Sequence, residues 1–424
     1  MPPTFELLAE DLRERAFALR PGVPRSRRRI GAEVELIPVS ADTRLALPIQ
    51  AEEGLASLPF LRRFGGLHGW KEDAAGKGPR FLLSTGGMLG YEPGGQIEYA
   101  SPPLPSASAL LAMLRSVVLP LRAAAREEGI ELLSVGIDPH TPLERVALQL
   151  CAPRYVRMTE YLSTVGTQGT RMMRQTAAFQ LSLDTEDEPL LRWRVLNAAA
   201  PVLLAIFANS PSYAGAPAGH QSVRAHVWRE LDPTRTGVFG ATGDAVAEYL
   251  DFALGAPVVL QRSAEGEYLP LRELVARGET TLADWHTHLS TLFPEVRPRG
   301  HLELRSLDAV DPSWYAAPVA LLSGLVYHRE SLRAAAELLA APDAELLRRA
   351  GRIGLGDAEI GRQARDLFEI GMAGAAARGE EFLLDSDLEI AREFFDRYTR
   401  RGRSPADDLR MATDTRILQP AALS

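Results

Sequence analysis

The stretch Gly90-Tyr91-Glu92-Pro93-Gly94-Gly95-Gln96-Ile97-Glu98 sets two acids around a turn whose backbone is dictated by its residues. Pro93 fixes its own φ and biases Glu92 toward extended geometry, while Gly94 and Gly95 admit positive φ and a close approach of the backbone to a ligand. Past the turn, Gln96 and Glu98 stand two apart in a strand-like run, which points an amide and a carboxylate to one face. Gly31-Ala32-Glu33-Val34-Glu35-Leu36 repeats that spacing, with Glu33 and Glu35 on one side and Val34 and Leu36 on the other. Neighbouring carboxylates repel and, when buried, lose hydration; a hard divalent cation held by oxygen ligands is the usual compensation. The same residues also suit a hairpin and an edge strand whose acids face water, and spacing alone leaves both readings open.

Periodicity predicts the elements that carry these groups. Apolar residues at helical spacing over 5–19 predict an amphipathic first helix, stopped by Pro21-Gly22. A strand follows over 29–37, and short strands at 69–72 and 80–84 lead into the acidic turn. A helix over 106–128 closes near Gly129 and gives way to a strand over 130–137. Residues 152–173 read as helix with a glycine-punctuated middle at 165–169, and 176–184 alternate as a strand with Gln180, Ser182 and Asp184 on one face. The apolar runs at 198–208 and 316–326 are shorter than the ~20 residues of a membrane span and predict buried helices. From 316 to 418 the pattern is helical, with breaks at Pro342, Gly354-Leu355-Gly356 and Arg401-Gly402. Ser404 is placed to cap a helix that starts at Pro405 with Asp407 and Asp408 in its first turn.

The chain of 424 residues is 46% hydrophobic and 24% charged, the balance of a globular protein with a large core. A formal net charge of -8 argues against a general nucleic-acid binder, and the run Arg25, Arg27, Arg28 and Arg29 reads as a solvated or interface face. The acid-interrupted N-terminus carries no export-signal pattern, and the single cysteine, Cys151, forbids an intramolecular disulfide, so a reducing cytoplasm is expected. Cys151 itself is expected to pack rather than react. His286 and His288 suggest zinc only on a strand; Leu282, Trp285 and Leu289 predict a helix, on which the two rings diverge.

Taken in order, the motifs resemble the glutamate-cysteine ligases of the plant and proteobacterial type, together with the related ligase of ergothioneine synthesis. The resemblance is carried by Gly31-Ala32-Glu33-Val34-Glu35, by Glu92-Pro93-Gly94-Gly95-Gln96-Ile97-Glu98, and by Met172-Met173 with Gln180-Leu181-Ser182-Leu183-Asp184. It continues through Phe207-Ala208-Asn209-Ser210-Pro211, Ser222-Val223-Arg224-Ala225-His226-Val227-Trp228 and Arg235-Thr236-Gly237. Asp284-Trp285, Leu289, Phe293-Pro294-Glu295-Val296-Arg297 and Leu302-Glu303-Leu304-Arg305 complete the series. The chain departs from the family pattern at Ser182, often Asn, at Leu36, often basic, and near Ala177, where a cysteine is common. With one cysteine, the regulatory cysteine pairs of plant members cannot form.

The resemblance implies one α/β (α+β) domain of the glutamine-synthetase-like carboxylate-amine ligase type, an antiparallel sheet funnel with helices outside and the acids inside. Within it, 1–29 form an N-terminal helix and basic lead-in, 30–315 the sheet-rich core, and 316–424 a mostly helical part packed on that core. It further implies ATP-dependent joining of the glutamate γ-carboxylate to the cysteine amine through an acyl phosphate, in a cytoplasmic monomer or homodimer. ATP and Mg2+ are the implied cofactors; no phosphate-loop or dinucleotide fingerprint occurs, so another device must hold the nucleotide. On this view Glu33, Glu35, Glu92, Glu98, Glu303 and Gln180 form the metal and phosphate wall, and Glu303 and Arg305 carry the catalysis. Glu303 and Arg305 lie two apart, so one can hold a cation while the other reaches a phosphoryl oxygen; a plain ion pair fits the same spacing. Arg305 and Gln96 are expected at the nucleotide, and Arg224, Arg297, Arg235 and Trp228 at the amino-acid substrates. A different acceptor amine and a non-catalytic binding homologue are the competing readings.

Overall fold

The computed structural model describes residues 2–19, 29–73, 78–185, 187–240, 243–262 and 266–417. Arg25, Arg27, Arg28 and the Pro21-Gly22 stop lie outside the described residues. Among those described, nine strands form one sheet, and every pairing within it is antiparallel. In chain order the first seven are β1 (Ile30–Ser40), β2 (Lys71–Asp73), β3 (Arg80–Leu82), β4 (Met88–Tyr91), β5 (Ile97–Ala100), β6 (Ile130–Leu133) and β7 (Ala178–Leu183). A hairpin of Val296–Pro298 and Leu302–Asp308 completes it.

β1 is the centre. Its first half pairs with β7 on one side and with β5 on the other, and its last four residues pair with β6. From β5 the sheet runs through β4 and β3 to β2; from β7 it runs through Leu302–Asp308 to Val296–Pro298. Because side chains alternate, this register writes one apolar and one polar face. On the apolar face Val34 sits between Tyr99 and Phe179, and Leu181 between Ala32 and Leu304, all buried.

Helices cover that face. Pro189–Ile206 packs on Leu302–Asp308, and Ala316–Tyr327 packs on β7, on Ala107–Glu127 and on the C-terminal helices Ala358–Ala377 and Asp385–Arg397. A single apolar cluster runs from Leu8 to Tyr398, so the C-terminal helices share the core of the sheet. The apolar run predicted at 198–208 lies in a helix that begins earlier, at Pro189, and ends at Ile206, its added turns mixing Leu, Trp and Val with Arg192, Arg194 and Asn197. The helix it forms, like Ala107–Glu127, is long and apolar enough to cross a membrane by composition, yet 83% of its apolar window is buried in the protein.

Apart from element ends, such as the strand expected over 130–137 that stops at Leu133, local expectations differ from the structure in four places. The first helix is α-helical only over Phe5–Asp11, capped by Thr4, and widens into a π-turn over Leu12–Ala16. The segment 152–173 is two helices, Pro153–Val165 and Thr167–Gln175, split at Gly166. Ser404 does not cap with its hydroxyl, which lacks a partner; its backbone N–H donates instead to Asp407 Oδ2 at 2.8 Å. Cys151 is exposed, not packed, because it precedes the helix at Pro153 on the surface.

Candidate active site

The polar face gathers acids from two strands and a turn. Glu35 of β1 stands directly opposite Glu98 of β5, and Glu33 opposite Gln180 of β7. Glu92 joins them from the turn between β4 and β5. That turn closes through Gly95 N–H to the Glu92 carbonyl at 2.9 Å and Glu92 N–H to the Gln96 carbonyl at 2.8 Å. Gly95 takes φ +95°, while Gly94 has ordinary φ and is needed for proximity, since a Cβ there would lie 2.1 Å from the Arg174 carbonyl oxygen.

These acids are starved of positive charge. Burial, then repulsion from Glu92, pushes the Glu35 carboxyl up to about 8, against partial relief from Arg224. Its two oxygens accept from Ala178 N–H at 2.9 Å and from Gln180 Nε2 at 3.1 Å. Burial followed by repulsion from Glu92, Glu33 and Glu35 lifts Glu98 well above the carboxylate range, and burial followed by repulsion from Glu33 raises Glu92 as well. Glu33 is also raised by burial and by Glu303, with Arg305, Arg297 and Arg299 pulling the other way.

A basic half adjoins them. Glu303, 1% exposed, accepts a bidentate fork from Arg297 at 2.8 and 2.9 Å, and single bonds from Arg305 at 2.8 Å and Arg299 at 3.4 Å. Burial alone would raise this carboxyl, but the guanidinium groups hold it far below the usual range. Arg305 Nη1 also donates to Gln180 Oε1 at 2.7 Å, so Gln180 bridges the halves, with its amide nitrogen on Glu35. Glu303 was expected in the metal wall; three arginines take its oxygens here, and it organises cations rather than standing open to one.

Arg154, on the helix Pro153–Val165, lies close enough to Arg297 and Arg299 to be repelled by them, and its Nε is buried without a hydrogen-bond partner. A cavity of about 380 Å³ opens on this half, lined by Asp11, Arg15, Arg154, Tyr249, Arg297 and Arg299 among others. Sequence reasoning missed Arg299 and Arg154. Arg299 carried a usable signal, because it stands two residues from Arg297 in the same strand-like run; Arg154 had no local signal.

Three expected ligand-binding residues are otherwise engaged. Gln96 is 2% exposed and spends its amide on the backbone, accepting from Gly94 N–H at 3.1 Å and donating to the Thr176 carbonyl at 2.8 Å. It precedes β5 and belongs to the turn, and both ends of its amide hold the loop. Arg235 is buried and bonded to Asp232 at 2.6 Å and to the Thr291 and Pro257 carbonyls. Arg224 donates to the Arg305 and Ser306 carbonyls at 2.8 and 3.4 Å, which occupies both of its terminal nitrogens with main chain. Trp228 does border the site: its ring lies 5.5 Å from the Arg224 guanidinium and 5.6 Å from that of Arg305. His286 bonds Asp11 and His288 the Ala253 carbonyl, so the two rings have separate partners.

Residues 29–419 match the model of glutamate-cysteine ligase family 2. The chain belongs to that family. Among its relatives, the glutamate-cysteine ligase EgtA of Mycolicibacterium smegmatis is 34% identical over 77% of this chain and 78% of its own. Chloroplastic glutamate-cysteine ligase B of Oryza sativa is 31% identical over 80% of this chain and 71% of its own. A looser likeness is to a solved glutamate-cysteine ligase of Francisella tularensis in complex with AMP, with a TM-score of 0.48 and 12% identity over 91% of this chain and 84% of that one.

In this family member the acidic half suits a magnesium ion by its chemistry. Glu33, Glu35, Glu92 and Glu98 offer only hard oxygen donors, and burial with mutual repulsion shifts all four carboxyls upward, a shift that a cation would relieve. Among the described residues no three acids or histidines already converge as a finished coordination sphere. The placing of Glu35 directly opposite Glu98, with Glu92 and Glu33 close enough to repel them, is the feature that argues for the fit.

Proposed function

We propose that the chain is an ATP-dependent ligase that joins the γ-carboxylate of glutamate to the amine of cysteine and releases ADP and phosphate. The observation that carries this reading is the segregation of charge on one sheet face, four undercompensated acids beside a group of arginines gathered on Glu303. A nucleoside triphosphate with a divalent cation is the ligand pair that satisfies both halves at once. Magnesium bound by Glu33, Glu35, Glu92 and Glu98 would supply neutralisation of the phosphate oxygens.

The chain's own groups then have definable tasks. Arg297, Arg299 and Arg154 line the cavity of the basic half and are placed to receive the polyphosphate. Arg305, whose Nη1 is anchored by Gln180 and Glu303 at the boundary of the halves, has further N–H donors that would meet the charge developing as the glutamate carboxylate oxygen attacks the γ-phosphorus and ADP departs. The cysteine nitrogen then attacks the acyl carbon, phosphate leaves, and the nitrogen loses a proton. The buried setting keeps water from an acyl phosphate that it would hydrolyse. Trp228 supplies an apolar wall beside Arg305. A compartment rich in ATP and thiol-reducing, the cytoplasm, is the setting this activity needs.

The test is ADP release measured with magnesium, ATP and glutamate while the amine is varied across the common amino acids, with the product weighed by mass spectrometry. Turnover with cysteine alone, giving γ-glutamylcysteine, is the expected result. Preference for another amine would reassign the acceptor, and no ADP with any amine would reduce the chain to a binding homologue.

A further inference from the structure

The strand Leu302–Asp308 that carries Glu303 and Arg305 is irregular at the site. Leu304 pairs with Leu181 and Leu307 with Phe179, so three steps on this strand match two on β7, and the extra residue falls at Arg305 and Ser306. A bulge re-aims its side chains and frees its backbone groups. Here the carbonyls of both residues are held by one guanidinium, Arg224, from the helix Val223–Arg229.

Arg224 is itself fixed from behind. Asp308, 1% exposed, accepts from Asn209 N–H at 2.8 Å, Ser210 Oγ at 2.7 Å and Ser222 Oγ at 2.8 Å, and lies 3.9 Å from Arg224 Nη1. Ser222 is also the N-cap of the helix that bears Arg224, accepting from Ala225 N–H at 3.0 Å. The chain of contacts is continuous, from the buried carboxylate to the helix start, to the guanidinium, to the bulge carbonyls, to Arg305. Neither Ser210 nor Asp308 touches the acids.

We propose that Arg224 and the buried Asp308 hub behind it are positioning residues that hold the bulge so that Arg305 points between the acidic and basic halves, and that Arg224 acts through main chain rather than by gripping an amino-acid carboxylate. This assigns work to the motifs around Ser210 and Ser222, which lie outside the catalytic wall. Its kinetic readout rests on the ligase reading above.

A double-mutant cycle tests it. Arg224→Lys keeps the charge but cannot span two carbonyls; kcat should fall on the order of 10- to 100-fold, as for a misplaced catalytic group, with KM for glutamate and ATP within about threefold of wild type. Arg305→Lys should be impaired at least as much, and the double variant should be no worse than Arg305→Lys alone within about threefold, because the clamp has nothing left to aim. Independent, multiplying losses, or a KM for glutamate raised about tenfold or more, would overturn the proposal. If Arg224→Lys fails to fold, Ser222→Ala and Ser210→Ala each remove one hub bond, and about threefold or greater kcat losses that vanish in the Arg305→Lys background are expected. Hydrogen exchange over residues 302–308 reads the clamp without substrate: it should quicken in Arg224→Lys and stay as in wild type in Arg305→Lys. Unchanged exchange in Arg224→Lys would also overturn the idea. A wild-type protein that forms no ADP would sink the ligase reading instead and leave the exchange result to decide the clamp.

Discussion

Replacing Glu35 by glutamine should stabilise the metal-free protein near neutral pH and abolish its turnover. The folded carboxyl titrates at about 8, against an ordinary value of 4.5. Below about pH 4.5 both states are protonated and the folded protein has its full stability. As pH rises, the unfolded chain ionises while the folded one keeps its proton, so stability drains away until the folded group titrates near 8 and the loss levels off. At pH 7.5 the loss amounts to about 4 kcal/mol, at roughly 1.4 kcal/mol for each pH unit travelled. Glutamine does not titrate and escapes this loss. Its amide nitrogen replaces one of two oxygens that accept from Ala178 and Gln180, at a cost of about 1–3 kcal/mol.

The two effects give opposite signs at the two ends of the range. At pH 4.5 the variant should melt below wild type, and at pH 7.5 above it. For a chain of 424 residues, roughly 1 °C of Tm accompanies each kcal/mol, so the difference between the proteins should swing by about 4 °C. Thermal melts in chelator, at half-unit steps from pH 4.5 to 8, measure it. Magnesium should raise the wild-type Tm more at pH 8 than at pH 5.5, because the ion displaces protons, and should do less for the variant. Parallel Tm profiles of the two proteins across the range would refute the claim that this carboxylate is buried without a counter-charge.

Three further outcomes are expected. Glu92→Gln removes a charge that repels Glu35 and Glu98 and a proposed magnesium ligand, so kcat/KM should fall by about two orders of magnitude or more with Tm changed by only a few degrees, as read by ADP assay and melting. Glu303→Gln strips the charge from a carboxylate that gathers Arg297, Arg299 and Arg305, and should cost about 3–5 kcal/mol. Its folded carboxyl is depressed, so its stabilisation exists above about pH 4.5 and is lost only in stronger acid; the deficit should therefore be flat from pH 6 to 9, unlike that of Glu35. Gln96→Ala should lower stability by about 1–3 kcal/mol while KM for ATP stays within about threefold, and a selective rise in that KM would return Gln96 to the nucleotide.

What the chain announces about its fold is local, and what it withholds is register. The alternation in β1, β5 and β7 is visible because side-chain direction has period two, so Glu33 with Glu35, and Gln180 with Ser182, declare a shared face. That Glu35 meets Glu98 while Glu33 meets Gln180 depends on pairing between distant segments, which no local pattern encodes. Gln96 shows the limit of the rule: its parity with Glu98 is real in sequence, but the strand starts at Ile97, and before that point the turn sets direction. Residue type fails in a second way with arginine. A guanidinium fork fits a substrate carboxylate and a pair of main-chain carbonyls equally well, so Arg224 and Arg235 could not be told from Arg297 until their partners were known.

The arrangement of charge bears directly on function. Acids and arginines are present on the same sheet face in numbers that would allow mutual neutralisation, as Glu303 and Arg297 show across one strand pair. The register instead sets Glu35 against Glu98, where the two carboxylates repel, and the helix Pro153–Val165 brings Arg154 toward Arg297 and Arg299 with its Nε unbonded. Each choice costs stability that a structural ion-pair network would have kept. Such local violations are tolerated where a ligand relieves them, and the relief required has two signs, a cation for one half and a polyanion for the other. A surface evolved only to bind an amino acid would need one carboxylate clamp and one ammonium site. The paired deficit is the physical requirement of metal-assisted phosphoryl transfer, in which both charges arrive together and neither half is satisfied alone.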